Sequence, residues 1–335
     1  MMRDRRQFLH RTGQLGLAAA AGSGLAVAPA SAQTQAFPSR QVRIITPFPV
    51  GAGPDVALRQ VADQLARRWK QPVVVDNKPG GNGFIAVSTF KQAPTDGHDL
   101  LPLDNNHITT QPNTFARLPY DVQKDFAPLR MILRTPFFAV VAPDSPYRSL
   151  DDIVNAAREK PGKVSYGSWG NGSPGHIGSL LLQSQKGVQM LHVPFRDFGQ
   201  LYTAVSTKQV DWAFGSVASA SPMEKSGRVR FVTLAAKARE PLYPNVPATA
   251  ESPALRDFTL TGWAGILAPS SLPAPLQASI ANDIAQAMVS NEIVQNYKTM
   301  GYEAPDLSPS AFNELILRET STWAAVIKAN NLRLD

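Results

Sequence analysis

The sequence predicts an α/β protein made of two lobes, and three observations carry that reading. Of 335 residues, 43% are hydrophobic and 18% charged. This ordinary globular balance supplies one or two cores and excludes a disordered chain, a coiled coil or a repeat solenoid. From Val42 onward, short apolar runs alternate with helix-period patterns, as strands alternating with helices do. Near Phe137 the strand–loop–helix order begins again, which suits two sheets of similar size better than one large sheet.

Val42–Thr46 reads as the first strand and runs into Pro47-Phe48-Pro49-Val50-Gly51-Ala52-Gly53-Pro54. A helix follows, because Leu58, Val61, Ala62, Leu65 and Trp69 recur at helical spacing on one face. Gln71-Pro72 stops it, and Val73–Val75 forms a second strand, so the first unit is βαβ with parallel strands. Asp76–Gly83 is a glycine-rich turn into another helix, and Leu100–Leu103 is a third strand. Between Leu103 and Phe137 the pattern names no element. The second half then gives a strand at Phe137–Ala142 and a helix capped at Ser149, with Asp151 and Asp152 at its positive end. Strands follow at Val164–Tyr166, Met190–Val193, Val210–Phe214 and Arg230–Ala235, with helices near His176–Gln185 and Gln200–Thr207. A strand at Leu260–Leu267 precedes three helices, Pro273–Ser290, Glu292–Met300 and Pro309–Ala329, the last capped by Ser308.

The first residues read as an export signal. Arg5-Arg6-Gln7-Phe8-Leu9 is a twin arginine, Leu15–Ala28 is an apolar run, and Ala30-Ser31-Ala32 fits a cleavage site. The run is shorter than the roughly 20 residues a bilayer span needs. A Tat-type signal at 1–32 is expected, with the Sec route open because Asp4 and His10 depart from the usual twin-arginine pattern. The working protein therefore begins near Gln33, outside the cytoplasm.

Composition narrows the chemistry. There is no cysteine, which removes disulfides, thiolate metal sites and cysteine nucleophiles together. His10, His98, His107, His176 and His192 show no metal-ligand spacing, so no metal is expected. Residues 1–32 hold four arginines against one aspartate, so only +4 of the formal charge of +7 belongs to the remainder. That mild excess is scattered and without aromatic interleaving, so no nucleic-acid partner is expected.

Two loops stand out for one physical reason. Gly51–Asp55 and Gly170–Gly175 each follow a strand and open a helix, where free N–H groups and the helix dipole favour an anion. One such loop is as readily a plain tight turn; two, one per lobe, point to a shared anion site in the cleft between them. Asp55 reads as a helix cap. His176 either donates to a ligand or caps loop carbonyls, and His192 reads as core. The alternative from another class is an exported NAD(P)-dependent oxidoreductase, since Gly170-Asn171-Gly172-Ser173-Pro174-Gly175 fits G-x-G-x-x-G with Asp197 downstream. Pro174, at the start of the would-be pyrophosphate helix, and the mid-chain position count against it. No G-x-S-x-G elbow or marked carboxylate pair is present, and no catalytic residue is assigned.

The ordered series Ile44-Ile45-Thr46-Pro47-Phe48-Pro49-Val50-Gly51-Ala52-Gly53-Pro54-Asp55, Pro72–Gly83, Asp96-Gly97 and Pro161–Ser168 continues through Gly170–His176, His192–Arg196, Gln209-Val210-Asp211 and Tyr243–Ala248. Gly262-Trp263, Leu267-Ala268-Pro269 and Glu319…Trp323…Ile327 complete it. This series resembles the Bug family, the periplasmic solute receptors of tripartite tricarboxylate transporters. The resemblance implies a two-domain periplasmic-binding-protein (Venus flytrap) fold, each lobe a mixed sheet flanked by helices and hinged by crossing strands. The implied domains are 36–136 with 256–335 as lobe 1 and 137–255 as lobe 2.

It also implies a monomer that is not an enzyme, needs no cofactor, closes on a small organic carboxylate and delivers it to large and small membrane subunits. The expected ligand-binding set is Phe48, Val50, Gly51, Ala52, Gly53 and Asp55 in the first loop and Ser168, Trp169, Gly172, Ser173 and His176 in the second. Phe195 and Asp197 belong to a third loop, and Phe84, Asn105 and Ser216 complete the set. Departures from the family pattern bear on the ligand. The first loop reads Gly-Ala-Gly-Pro-Asp and so lacks a usual hydroxyl, while Phe84, Trp169, Asp197-Phe198 and Gly215 replace residues more often small or polar. An aromatic or bulky carboxylate, aromatic dicarboxylates included, is expected rather than citrate or an amino acid. In the competing reading, Phe84 and Trp169 only pack against their own lobes.

Overall fold

Residues 37–334 are described by the computed structural model, so the export segment expected at 1–32 lies outside the described residues. The chain opens with β1 (Val42–Thr46), α1 (Gly53–Trp69), β2 (Val73–Asn77), α2 (Phe84–Lys91) and β3 (Asp99–Asp104). A π-helical turn at Asn106–Thr110 leads into short helices α3 (Gln111–Thr114) and α4 (Val122–Asp125), then β4 (Phe126–Pro136). The second series is β5 (Phe138–Val141), α5 (Leu150–Glu159), β6 (Ser165–Ser168), α6 (Pro174–Lys186), β7 (Leu191–Pro194), α7 (Phe198–Ser206), β8 (Trp212–Gly215), α8 (Val217–Lys225) and β9 (Arg230–Leu234). It closes with β10 (Thr261–Pro269), α9 (Ala274–Met288), α10 (Asn291–Met300) and α11 (Pro309–Ala329).

Two five-stranded mixed sheets result, in the orders β2-β1-β3-β10-β4 and β7-β6-β8-β5-β9. In the first, β1 runs parallel to β2 and β3, and β10 runs antiparallel to β3 and β4. In the second, β6 runs parallel to β7 and β8, and β5 runs antiparallel to β8 and β9. Each sheet is packed by its own helices. Leu58, Val61, Ala62 and Leu65 of α1 are buried against one face of the first sheet, and Ile153, Val154 and Ala157 of α5 lie in the core of the second. The two-lobe α/β expectation therefore holds. Ser149 caps α5 in a capping box with Asp152, and Ser308 caps α11 through the Ala311 N–H, as their positions predict.

The unassigned stretch after Leu103 hides the long strand β4. Its alternation is blurred because two register shifts against β10, at Ala264/Gly265 and Ile266/Leu267, move the buried face along the strand. Strand period 2 survives only where register is constant. Helix α8 also has no counterpart in the sequence reading, since Pro222 interrupts it and small residues give it no strong apolar stripe.

Three connections tie the sheets together. At the crossing from β4 to β5, the Phe137 N–H donates to Leu260 O (3.2 Å) and Phe137 O accepts from the Ala235 N–H (2.8 Å). The return crossing enters β10, where Thr261 pairs with Pro136. The third connection is α11. Phe312 and Ile316 lie in a core cluster with β3 and β10, whereas Trp323, Val326 and Ile327 lie in the core of the second sheet. One helix thus buries its two halves in different cores.

Candidate functional site

In both sheets the chain order reverses direction beside a central strand: β1 leads left to β2 and then right to β3, and β6 leads left to β7 and then right to β8. Ligand crevices of open α/β sheets form at such switch points, outside the carboxyl ends of the strands. A cavity of about 480 Å³ occupies this place, within the usual range for small-molecule sites. Helix starts surround it. Gly53 and Pro54 open α1, Pro174 opens α6, Phe198 opens α7, and Ser216 and Ala218 lie at the start of α8; all line the cavity. The N–H groups of Gly53, Phe198 and Ala218 have no acceptor within their own helices, because each lies in a first turn. The N-cap of α1 is Ala52, which supplies no side-chain cap. Positive helix ends from both sheets therefore face one space.

The other walls are aromatic: Phe48, Phe137, Trp169, Trp263 and Tyr302. Trp169 packs against Phe137 (5.5 Å between ring centres) and Phe198 (5.1 Å). Among the described residues, no lysine or arginine lines the cavity, and Asp104 is its one charged side chain. An anion held here would be held by main-chain dipoles and neutral polar side chains such as Ser216, Ser219 and Tyr302, not by a cation.

Of the expected residues, Phe48, Gly51, Ala52, Gly53, Asn105, Trp169 and Ser216 line this cavity. Ser173, with Trp169, lines a second, adjoining one. The remaining eight stand elsewhere. Val50 is 73% exposed. Phe84 packs edge-on against Phe115 (5.2 Å) in its own lobe, which is the competing packing reading for that residue. Phe195 lies over Gly167, and Gly172 lies against Leu334. Asp197 caps α7 through the Gln200 N–H (2.8 Å).

Asp55 does not cap α1. It is buried behind the first loop, where the Gly51 N–H donates to its Oδ2 (2.9 Å) and Arg59 and Asn77 donate to its carboxylate. Burial opposes its charge, but these hydrogen bonds outweigh burial and hold the carboxyl below the usual carboxylate range. Asp55 braces the loop whose far side faces the cavity.

His176 and His192 form an unanticipated pair, stacked with ring centres 3.8 Å apart. Burial pushes the first down to about 3, with the facing ring adding to it, and burial pushes the second down to about 4. Both are neutral near pH 7. His176 Nδ1 accepts from the Gly172 N–H (3.0 Å) and so ties the ring to the loop backbone through that N–H. His192 Nε2 lies 2.7 Å from Ser168 Oγ, and that hydroxyl donates to Gly170 O (3.0 Å). The pair stiffens the second loop from behind.

The sequence reading missed Phe137, Phe198, Ser219, Trp263 and Tyr302 as lining residues. Phe198 sits in the third loop and Gly262-Trp263 in a family motif, so both carried a signal. Tyr302 carried none, because it reaches the cavity from the segment after α10.

Two mixed α/β sheets joined by crossing strands, with helix starts converging on the crevice between them, define the periplasmic-binding-protein class. The chain belongs to the tripartite tricarboxylate transporter receptor family, whose sequence profile matches residues 57–332. It is 32% identical to the UPF0065 protein in the tcbD-tcbE intergenic region of a Pseudomonas species, over 92% of each chain. It is 26% identical to protein BugT of Bordetella pertussis, over 94% of this chain and 95% of BugT. Among solved structures, an R. palustris protein with adipate superposes with a TM-score of 0.78 at 25% identity, covering 89% of this chain and 99% of that one. The family is one of periplasmic solute-binding receptors and not of enzymes. No helix among the described residues is long and apolar enough to cross a membrane.

Proposed function

We propose that this receptor captures an aromatic or otherwise bulky organic carboxylate and hands it to the large and small membrane subunits of a tripartite transporter. One observation carries the reading: unpaired first-turn N–H groups of helices from both sheets surround one aromatic cavity that has no cationic side chain. A carboxylate docks against the start of α1, and the starts of α7 and α8 complete its shell as the lobes close. Binding favours the closed form by the difference in affinity between the two states, and no more. The hinge would be the paired crossing at Phe137 and Leu260, and the moving bodies residues 36–136 with 256–335 against 137–255. The adipate in the R. palustris relative supports a carboxylate ligand. A monomer suffices, because both walls of the cavity come from one chain, and no catalytic group or cofactor takes part.

A thermal-shift screen of organic acids tests this. Benzoate-type acids are expected to raise Tm. A clear rise with citrate or succinate and none with benzoate-type acids would overturn the aromatic preference, and no rise with any acid would overturn the carboxylate reading.

A further inference from the structure

The crevice has a second compartment of about 390 Å³, and its chemistry is opposite to that of the first. Asp104, Trp169 and Pro174 line both spaces and so stand at their junction. Beyond them the walls are Asn82, Asn106, Gly170, Asn171 and Ser173. Leu334, tied by its N–H to Thr114 O (3.0 Å), closes one side. Again no lysine or arginine is present among the lining residues.

Two acceptors face this space: the Asp104 carboxylate, which also takes the backbone N–H groups of Asn106 and His107, and the Asn106 amide oxygen, which has no partner. Asp104 Oδ1 takes the backbone N–H (3.1 Å) and ring nitrogen of His107, while its other oxygen receives no side-chain hydrogen bond. Burial opposes the charge of Asp104, but the His107 ring and N–H outweigh it and hold the carboxyl below the usual range. It is therefore an anion at neutral pH. The Asn106 amide oxygen is buried with no partner, an arrangement that is costly unless something supplies the missing donor. Glycine at position 83 keeps this corner fixed: its φ is +82°, and a Cβ there would fall 2.4 Å from the His107 ring.

We infer that this compartment receives a hydrogen-bond-donating, cationic end of the ligand. The ligand is thus a carboxylate whose far end carries an amine in place of a second carboxylate. The inference rests on the carboxylate reading above and narrows it. One end of the crevice offers helix N-termini to an anion, and the other offers Asp104 and Asn106 to a donor. A second carboxylate on the ligand would meet the Asp104 anion with no lysine or arginine among the lining residues to receive it, which disfavours it on electrostatic grounds. In this respect the chain is expected to differ from its adipate-bound relative.

The test is isothermal titration of the full mature protein with three acids that share one ring: para-(aminomethyl)benzoate, para-toluate and terephthalate. The amine-bearing acid is expected to bind at least about tenfold more tightly than terephthalate, as one charge-assisted hydrogen bond gained and one repulsion avoided would give. Asp104→Asn keeps the acceptor for the His107 N–H and removes the charge; it is expected to shrink that ratio to within about threefold. Equal or tighter binding of terephthalate by the unmodified protein, a ranking that needs no variant, overturns the inference while leaving the carboxylate reading intact. An unchanged ratio in the folded variant does the same. Failure of all three acids to bind overturns the carboxylate reading and this inference together.

Discussion

Gly53 is the point where the first loop, the cavity wall and the core meet, and its replacement by alanine gives a quantitative test. A Cβ at this position would stand 2.0 Å from Tyr302 Oη and 3.3 Å from its Cζ. Non-bonded heavy atoms settle near 3.5 Å, so the hydroxyl must retreat by about 1.5 Å. The ring has little room to do so, since Tyr302 is 9% exposed and packs edge-on against Tyr297 with ring centres 5.7 Å apart. Overpacking of this kind costs about 1–3 kcal/mol, and alanine in a helix returns up to about 1 kcal/mol relative to glycine. A net loss of about 1–2 kcal/mol is expected for G53A. Tyr302→Phe removes the offending oxygen, which makes no hydrogen bond among the described residues, and is expected to be nearly neutral by itself. The double variant is expected to recover most of the loss, giving a coupling of about 1–2 kcal/mol by urea denaturation. Additive effects within about 0.5 kcal/mol would refute the contact and the placement of α1 against the cavity wall.

Two further outcomes follow from the same geometry. Glu319 accepts from Trp263 Nε1 (2.8 Å), and burial pushes its carboxyl up to about 7. The folded state therefore binds its proton more tightly than the unfolded state, so this group's contribution falls as pH rises from about 4.5 to about 7 and is constant outside that window. The loss is on the order of 3 kcal/mol, and Glu319→Gln should flatten that part of the stability–pH curve; an unchanged curve would show that Glu319 is not the group responsible. Trp169→Ala removes a wall shared by both compartments and is expected to weaken aromatic acids by at least about 1 kcal/mol while leaving succinate unaffected, as titration of the two ligands would reveal; equal losses for both would remove Trp169 from the aromatic platform.

The two-sheet layout was legible because its signals are local. The buried stripe of α1, the caps at Ser149 and Ser308 and the valine run of β2 each declare themselves within a few residues. The two loops that open α1 and α6 were legible for the same reason, since a strand, a glycine-rich turn and a helix start are contiguous. What stayed hidden depends on distant partners. The bulged pairing with β10 erases the alternation of β4, and Tyr302 reaches the cavity from a segment remote from the loops in sequence. Asp55 looks like a cap by position, but Gly51, Arg59 and Asn77 converge on it and turn it into a loop brace. Phe84 and Trp169 looked alike in sequence. The first is absorbed by Phe115 and Tyr120, whereas the second packs on its neighbours and still shows a face to the crevice.

The most direct measurement is a crystal structure of the protein with a bound benzoate-type acid. The carboxylate oxygens should lie within about 3 Å of the Gly53 N–H and of a first-turn N–H of α7 or α8, with no lysine or arginine in contact. A carboxylate seated on a cationic side chain, or outside the space bounded by these helix starts, would contradict the account.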